Sequence, residues 1–183
     1  MAVRNPANQQ QIIGAVRLHS RDDMQKMLKQ ADEAFASWSQ TSISQRANLL
    51  RRIGDSLERH HDELVAICIK EAGKVAQDGI DEVREAVDFC RYYAARAEEL
   101  AQDERFEPRG AVLCISPWNF PLAIFLGQVA AAIVTGNTVI AKPAEQTSLI
   151  ALRAIELMHN VGLPDHVVQA LSLIHISEPT RLG

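Results

Sequence analysis

The sequence predicts an α/β chain in which helices come first and a parallel strand–helix–strand unit follows. Three observations predict it. Residues 20–102 repeat apolar side chains at helical spacing. Residues 111–115 and 138–141 are short apolar runs with β-branched side chains, bounded by turn residues. Between them, residues 122–134 are Ala-rich and apolar on nearly every face, as suits a buried helix. One crossover between two strands implies a right-handed parallel pair. Such sheets bind ligands beyond the carboxyl ends of their strands. Those ends carry two polar clusters, Ser116-Pro117-Trp118-Asn119 and Lys142-Pro143-Ala144-Glu145, which should lie close together on one edge.

The bulk properties exclude several classes. At 183 residues the chain can bury one real core. Its 47% apolar and 23% charged content are ordinary globular values. A net charge of −4 gives no reason to expect nucleic acid as a partner. Cys68, Cys90 and Cys114 follow no metal or disulfide spacing, and each sits in an apolar segment. Buried structural thiols in a reducing compartment are the expectation. Residues 1–20 lack the apolar stretch of a signal peptide. Residues 120–134 are too short for a membrane span, which takes about 20 residues. A cytoplasmic protein without a transmembrane segment is expected.

Taken in order, residues 1–19 are a polar arm or hairpin in which Gly14 separates Ile12-Ile13 from the Val16 to Leu18 group. Ser20 reads as an N-cap, with Asp22 and Asp23 suited to the helix dipole. Met24, Met27, Leu28, Ala31, Ala34, Phe35 and Trp38 then form the apolar stripe of a helix ending near Ser39. Ser42 or Ser44 caps the next helix, with Ala47, Leu50, Ile53, Gly54 and Leu57 inside and Arg46, Arg51, Arg52, Glu58 and Arg59 on its wet face. His60-His61 is a solvated junction, because adjacent residues do not share a helix face as metal ligands would. A further helix ends at Gly73, a good left-handed terminator. Residues 78–102 form the longest helix, and Glu82 belongs to its mixed-charge, solvated face. A polar connector, 103–109, leads to the βαβ unit, whose helix closes at Gly136-Asn137. Thr147 caps a helix over residues 148–160, ended by Gly162 and Pro164, and 167–170 reads as a third strand.

The two clusters can carry chemistry, and each has a plainer reading. Asn119 can donate an amide hydrogen bond to a developing oxyanion, or it can cap the helix that follows. Lys142 and Glu145 can hold a ribose diol, or they can form a solvated turn. There is no G-x-G-x-x-G and no G-x-x-x-x-G-K-[ST], so a phosphate-cradling loop is absent or lies beyond this chain.

The wording S-P-W-N-F-P-L, followed by G-N-T-V-I-A-K-P-A-E-Q-T, resembles the aldehyde dehydrogenase superfamily, with the family's spacing. A-F-A-S-W, E-A-G-K and E-V-R-E-A-V-D-F-C-R-Y-Y-A resemble its N-terminal helices. The branch most similar is the L-glutamate γ-semialdehyde (1-pyrroline-5-carboxylate) dehydrogenase domain of bifunctional proline-utilisation enzymes. The resemblance implies a truncated cofactor-binding domain: helices over 20–103, then a partial Rossmann-like NAD-binding βαβ unit over 104–170. It implies that Asn119 is the oxyanion-hole amide and that Lys142 and Glu145 hold the adenosine ribose. It implies further that Ser116, Pro117 and Trp118 line the cofactor cleft and that Phe120 lies near the aldehyde tunnel. An acid at Glu145 would repel a ribose 2′-phosphate, which favours NAD over NADP. The implied partners are a small-molecule aldehyde and, for the full-length enzyme, further copies of itself.

In the family a cysteine thiolate attacks the aldehyde, hydride passes to NAD, and a glutamate activates water. None of Cys68, Cys90 or Cys114 matches that nucleophile, so the chain alone should be inactive. Another aldehyde or semialdehyde dehydrogenase, or a non-catalytic helical interaction module, is the alternative. Residues 171–183 resemble a translated sequencing adapter rather than enzyme, and are expected to be a non-native tail. An open parallel sheet edge and an uncovered face on helix 122–134 would then predict poor solubility.

Overall fold

The computed structural model describes residues 1–100 and 106–172. The N-terminal arm is an antiparallel hairpin, β1 (Ala2–Asn5) and β2 (Asn8–Ala15). Asn5 tightens its turn by accepting from the Ala7 amide at 2.9 Å. Four helices follow. In α1 (Arg21–Trp38), Ser20 and Asp23 exchange capping hydrogen bonds, and in α2 (Ile43–Arg59), Ser42 and Gln45 do the same. His60 separates α2 from α3 (His61–Ala72), and Gly73 ends α3 at φ 68°. Helix α4 (Ala76–Leu100) begins two residues before the apolar periodicity suggests; the sequence reading of its last turn falls on residues outside those described.

The βαβ unit matches its sequence signature closely. Strand β3 (Ala111–Ile115) pairs in parallel with β4 (Thr138–Lys142), and β5 (Val168–Ala170) pairs in parallel with the far side of β4. Helix α5 (Ala123–Val134) links β3 to β4. A 3-10 turn (Glu145–Thr147) and α6 (Ser148–Asn160) link β4 to β5. Helices α2, α4, α5 and α6 share one continuous core with Val139 and Ala141 of β4. On the other face α1 covers β4: Thr138 donates to the Ala31 carbonyl at 3.1 Å, and Ile140 packs with Met27 and Ala31. Asn137 staples the start of the sheet, because its Oδ1 accepts from the amides of Arg109 and Gly110.

Four sequence expectations are corrected here. Arg46 does not lie on a wet face; it is 5% exposed. Its guanidinium donates to the carbonyls of Val134, Trp38, Ser39 and Thr41 at the ends of α5 and α1 and in the turn after α1; the Trp38 carbonyl also accepts from the Thr41 amide. Gly136, at φ 93°, passes so close to this guanidinium that a Cβ would sit 3.2 Å from it. Glu82 is likewise buried rather than solvated, at 2% exposure. The apolar faces of α5 are covered by α2 and α4, with Leu122, Phe125, Leu126, Val129 and Ala130 fully buried. The exposed apolar surface is instead on β3, whose Leu113 and Ile115 are more than half exposed beside an open strand edge.

The fourth correction concerns the start of α6. Thr147 occupies the cap position but makes no capping bond. Glu71 of α3, buried in the core, accepts from the Leu149 amide at 2.6 Å and the Ile150 amide at 2.9 Å. Burial pushes the Glu71 pKa up to about 7, against the opposing pull of those two amides. The folded chain therefore binds this proton more tightly than the unfolded chain does. On this account stability is greatest below about pH 4.5 and declines as pH rises to about 7, by about 3 kcal/mol at most. Glu71→Gln should flatten that decline in urea midpoints measured from pH 4.5 to 8. An unchanged slope would count against it.

Leu171 and Ser172 open the segment assigned to a foreign tail, yet they continue the fold. The Leu171 amide donates to the Ala141 carbonyl at 2.7 Å, and its side chain packs with Met27, Ala31 and Ile140. The rest of that segment lies outside the described residues.

Candidate functional site

The parallel register sets Ile115 beside Lys142, so the loops leaving β3 and β4 start side by side. The Ser116 amide donates to the Lys142 carbonyl at 3.2 Å, one step beyond the last paired residues. Lys142 Nζ stands 4.0 Å from Glu145 Oε2 at the mouth of the second loop. A cation and a carboxylate so placed can grip a vicinal diol, the carboxylate accepting from hydroxyls and the ammonium donating to an oxygen. A phosphate ester on that diol would meet the carboxylate's like charge. Each loop also holds a buried hydroxyl, Ser116 Oγ and Thr147 Oγ1, without a hydrogen-bond partner among the described residues. Orphan polar atoms of this kind are what a polar ligand's site leaves when described by protein atoms alone. These features fit a dinucleotide's ribose end.

The first loop presents its side chains outward. Trp118, Asn119 and Phe120 are exposed, and Pro117 is half-buried. Asn119 is not the cap of α5: the amides of Leu122 and Ala123 donate to Glu82 Oε1 at 2.7 and 3.2 Å. The Asn119 amide is thus not committed to the helix it precedes. Phe120 lies under the Lys74 ammonium, 4.4 Å from the ring centroid. The structure therefore brings Ser116, Lys142 and Glu145 together and sets Trp118, Asn119 and Phe120 on the adjoining loop.

Sequence reasoning missed Lys74, Glu71 and Glu82, all three of which support these loops. The signal was present for Glu82. It lies three residues from Gly79 and four from Ala86, on the same stripe as Cys90. A carboxylate on a buried stripe must find donors. The cysteines are buried, as expected, and burial pushes Cys68 and Cys90 up to about 12 and Cys114 up to about 11. Thiols held protonated to that degree are poor nucleophiles.

The sequence matches the aldehyde dehydrogenase family over residues 1–175. The chain belongs to that family. Among its relatives is the bifunctional protein PutA of Escherichia coli, 45% identical over 92% of this chain and 13% of that protein. Another is the 1-pyrroline-5-carboxylate dehydrogenase of Staphylococcus epidermidis, 38% identical over 98% of this chain and 36% of that protein. The 1-pyrroline-5-carboxylate dehydrogenase from Thermus with bound NAD superposes with a TM-score of 0.89, at 30% identity over 95% of this chain and 36% of that one. The chain thus spans between about an eighth and about a third of these relatives' lengths. The family match runs five residues past Ala170, in accord with the packing of Leu171. In this aldehyde dehydrogenase chain, no described helix is long and apolar enough to cross a membrane.

Proposed function

We propose that this chain forms part of an NAD-dependent enzyme oxidising L-glutamate γ-semialdehyde to glutamate in proline catabolism, working in the cytoplasm as a homo-oligomer. The observation that carries the reading is the junction of the two strand-end loops, with Lys142 and Glu145 4.0 Å apart beside the Ser116 loop. Lys142 and Glu145 bind the adenosine ribose, and Ser116, Pro117 and Trp118 line the cleft beside it. Asn119 donates its amide to the substrate carbonyl oxygen as negative charge develops there. Phe120 flanks the aldehyde's approach. Bound NAD supplies the hydride acceptor. The attacking thiolate and the water-activating carboxylate come from residues that this chain does not contain. The semialdehyde is favoured by the relatives' names, 1-pyrroline-5-carboxylate dehydrogenase for one and, for the solved bifunctional neighbours, proline utilization A.

The enzyme encoded by the reading frame that carries this chain should reduce NAD with L-glutamate γ-semialdehyde. Glu145→Gln should weaken NAD about tenfold while improving NADP, because it removes both a diol acceptor and the charge that repels a 2′-phosphate. Dinucleotide titrations of the two proteins check this. An unchanged NAD-to-NADP ratio removes Glu145 from the ribose site.

A further inference from the structure

The loop carrying Asn119 is exposed at its tip, yet it is fastened at both ends. At the first end the Ser116 amide joins the Lys142 carbonyl. At the second, Glu82 reaches across from α4 and takes up the leading amides of α5, groups that no bond within the helix can satisfy. Its other oxygen, Oε2, lies 2.7 Å from Lys74 Nζ, an ion pair outside hydrogen-bond geometry. Lys74 is itself largely buried, and its ammonium covers the ring of Phe120, the residue next to Asn119. One buried carboxylate thus fixes the backbone just after the loop, and its cation partner fixes a side chain within it. Buried charge of this kind is costly unless geometry repays it. Here the cost is offset at the segment on which the site's donor stands.

We propose that Glu82 and Lys74 are positioning residues that fix the Ser116–Pro121 loop and so set where the Asn119 amide meets the substrate oxygen. Neither touches the reacting atoms. The proposal rests on the reading of Asn119 given above. It adds that the geometry of the donor is controlled from α4 and from the turn that precedes it.

The chain holds two tryptophans, so 5-fluorotryptophan labelling yields two 19F resonances, which Trp118→Phe assigns. Trp118 reports the loop. Trp38 is buried, donates to the Ile133 carbonyl at 3.0 Å and reports the core. Glu82→Leu should move the Trp118 resonance toward that of free 5-fluorotryptophan and narrow it, while Trp38 stays in place. Glu82→Gln, whose amide oxygen still accepts from Leu122 and Ala123, should keep Trp118 close to its native position. Should Glu82→Leu unfold the chain and move both resonances, Lys74→Met decides, since it leaves the α5 amides paired; it should shift Trp118 alone, by a smaller amount. A Trp118 resonance untouched by the folded variants overturns the proposal. In the enzyme carrying this chain, Glu82→Leu should lower kcat at least tenfold, a larger factor than the rise in KM for NAD that loosening the cleft-lining Trp118 brings, and Glu82→Gln should restore most of it. Release of Trp118 without loss of kcat would instead overturn the assignment of Asn119 as the oxyanion donor.

Discussion

Asn119→Ala in the enzyme carrying this chain should cut kcat by about 10²–10³-fold, or about 3–4 kcal/mol of transition-state stabilisation. The magnitude follows from what Asn119 is free to do. Its side chain is exposed on a fastened loop, and the helix behind it is already capped by Glu82. Among the described residues no hydrogen bond engages the amide, so its loss should fall on the chemical step. NAD affinity should change little, because Lys142 and Glu145 stand on the other loop. Asn119→Asp should be at least as damaging, since a carboxylate would repel the developing oxyanion. Steady-state kinetics, with dinucleotide titration beside them, separate these effects. A tenfold or smaller loss in kcat would move the oxyanion donor elsewhere.

Arg46→Ala should destabilise the fold by about 3 kcal/mol or more, since hydrogen bonds to a buried charge are worth about 1.5–3 kcal/mol and stranded acceptors add their own penalty. The guanidinium serves four carbonyls, from Trp38, Ser39, Thr41 and Val134, and so ties the end of α1 to the end of α5. Among the described residues no carboxylate pairs with it, and burial pushes its pKa down. The carbonyl dipoles alone hold the charge there. Arg46→Lys should recover less than half the loss, because a single ammonium cannot span acceptors that a planar fork reaches. Urea unfolding followed by far-UV circular dichroism tests both variants, at low protein concentration so that the open β3 edge does not self-associate. Equal midpoints for Arg46→Ala and the parent chain would refute it.

The local elements were legible because their causes are local. Ser20 and Ser42 begin helices with partners three residues on, and Gly73 and Gly136 end them with positive φ. The two apolar runs became parallel strands with Ile115 beside Lys142, so the meeting of the two polar clusters was already implied by connectivity. The motifs likewise pointed to the family that the comparison then established.

The positions of the buried charges were not legible in the same way. Arg46, Glu71 and Glu82 each sit on a helix that is otherwise polar toward water, and charge pattern alone places them outside. What draws them inside is the set of unpaired amides and carbonyls at the ends of other helices. Glu82 serves the start of α5, Glu71 the start of α6, and Arg46 the ends of α1 and α5. Those donors and acceptors lie 40 to 88 residues away in sequence, apart from the carbonyls of α1 and its trailing turn. The sequence by itself determined the helices, the strands and which loops would meet. Only the tertiary structure decided which charges hold those loops, because an orphan helix end acquires its partner through packing and not through spacing along the chain.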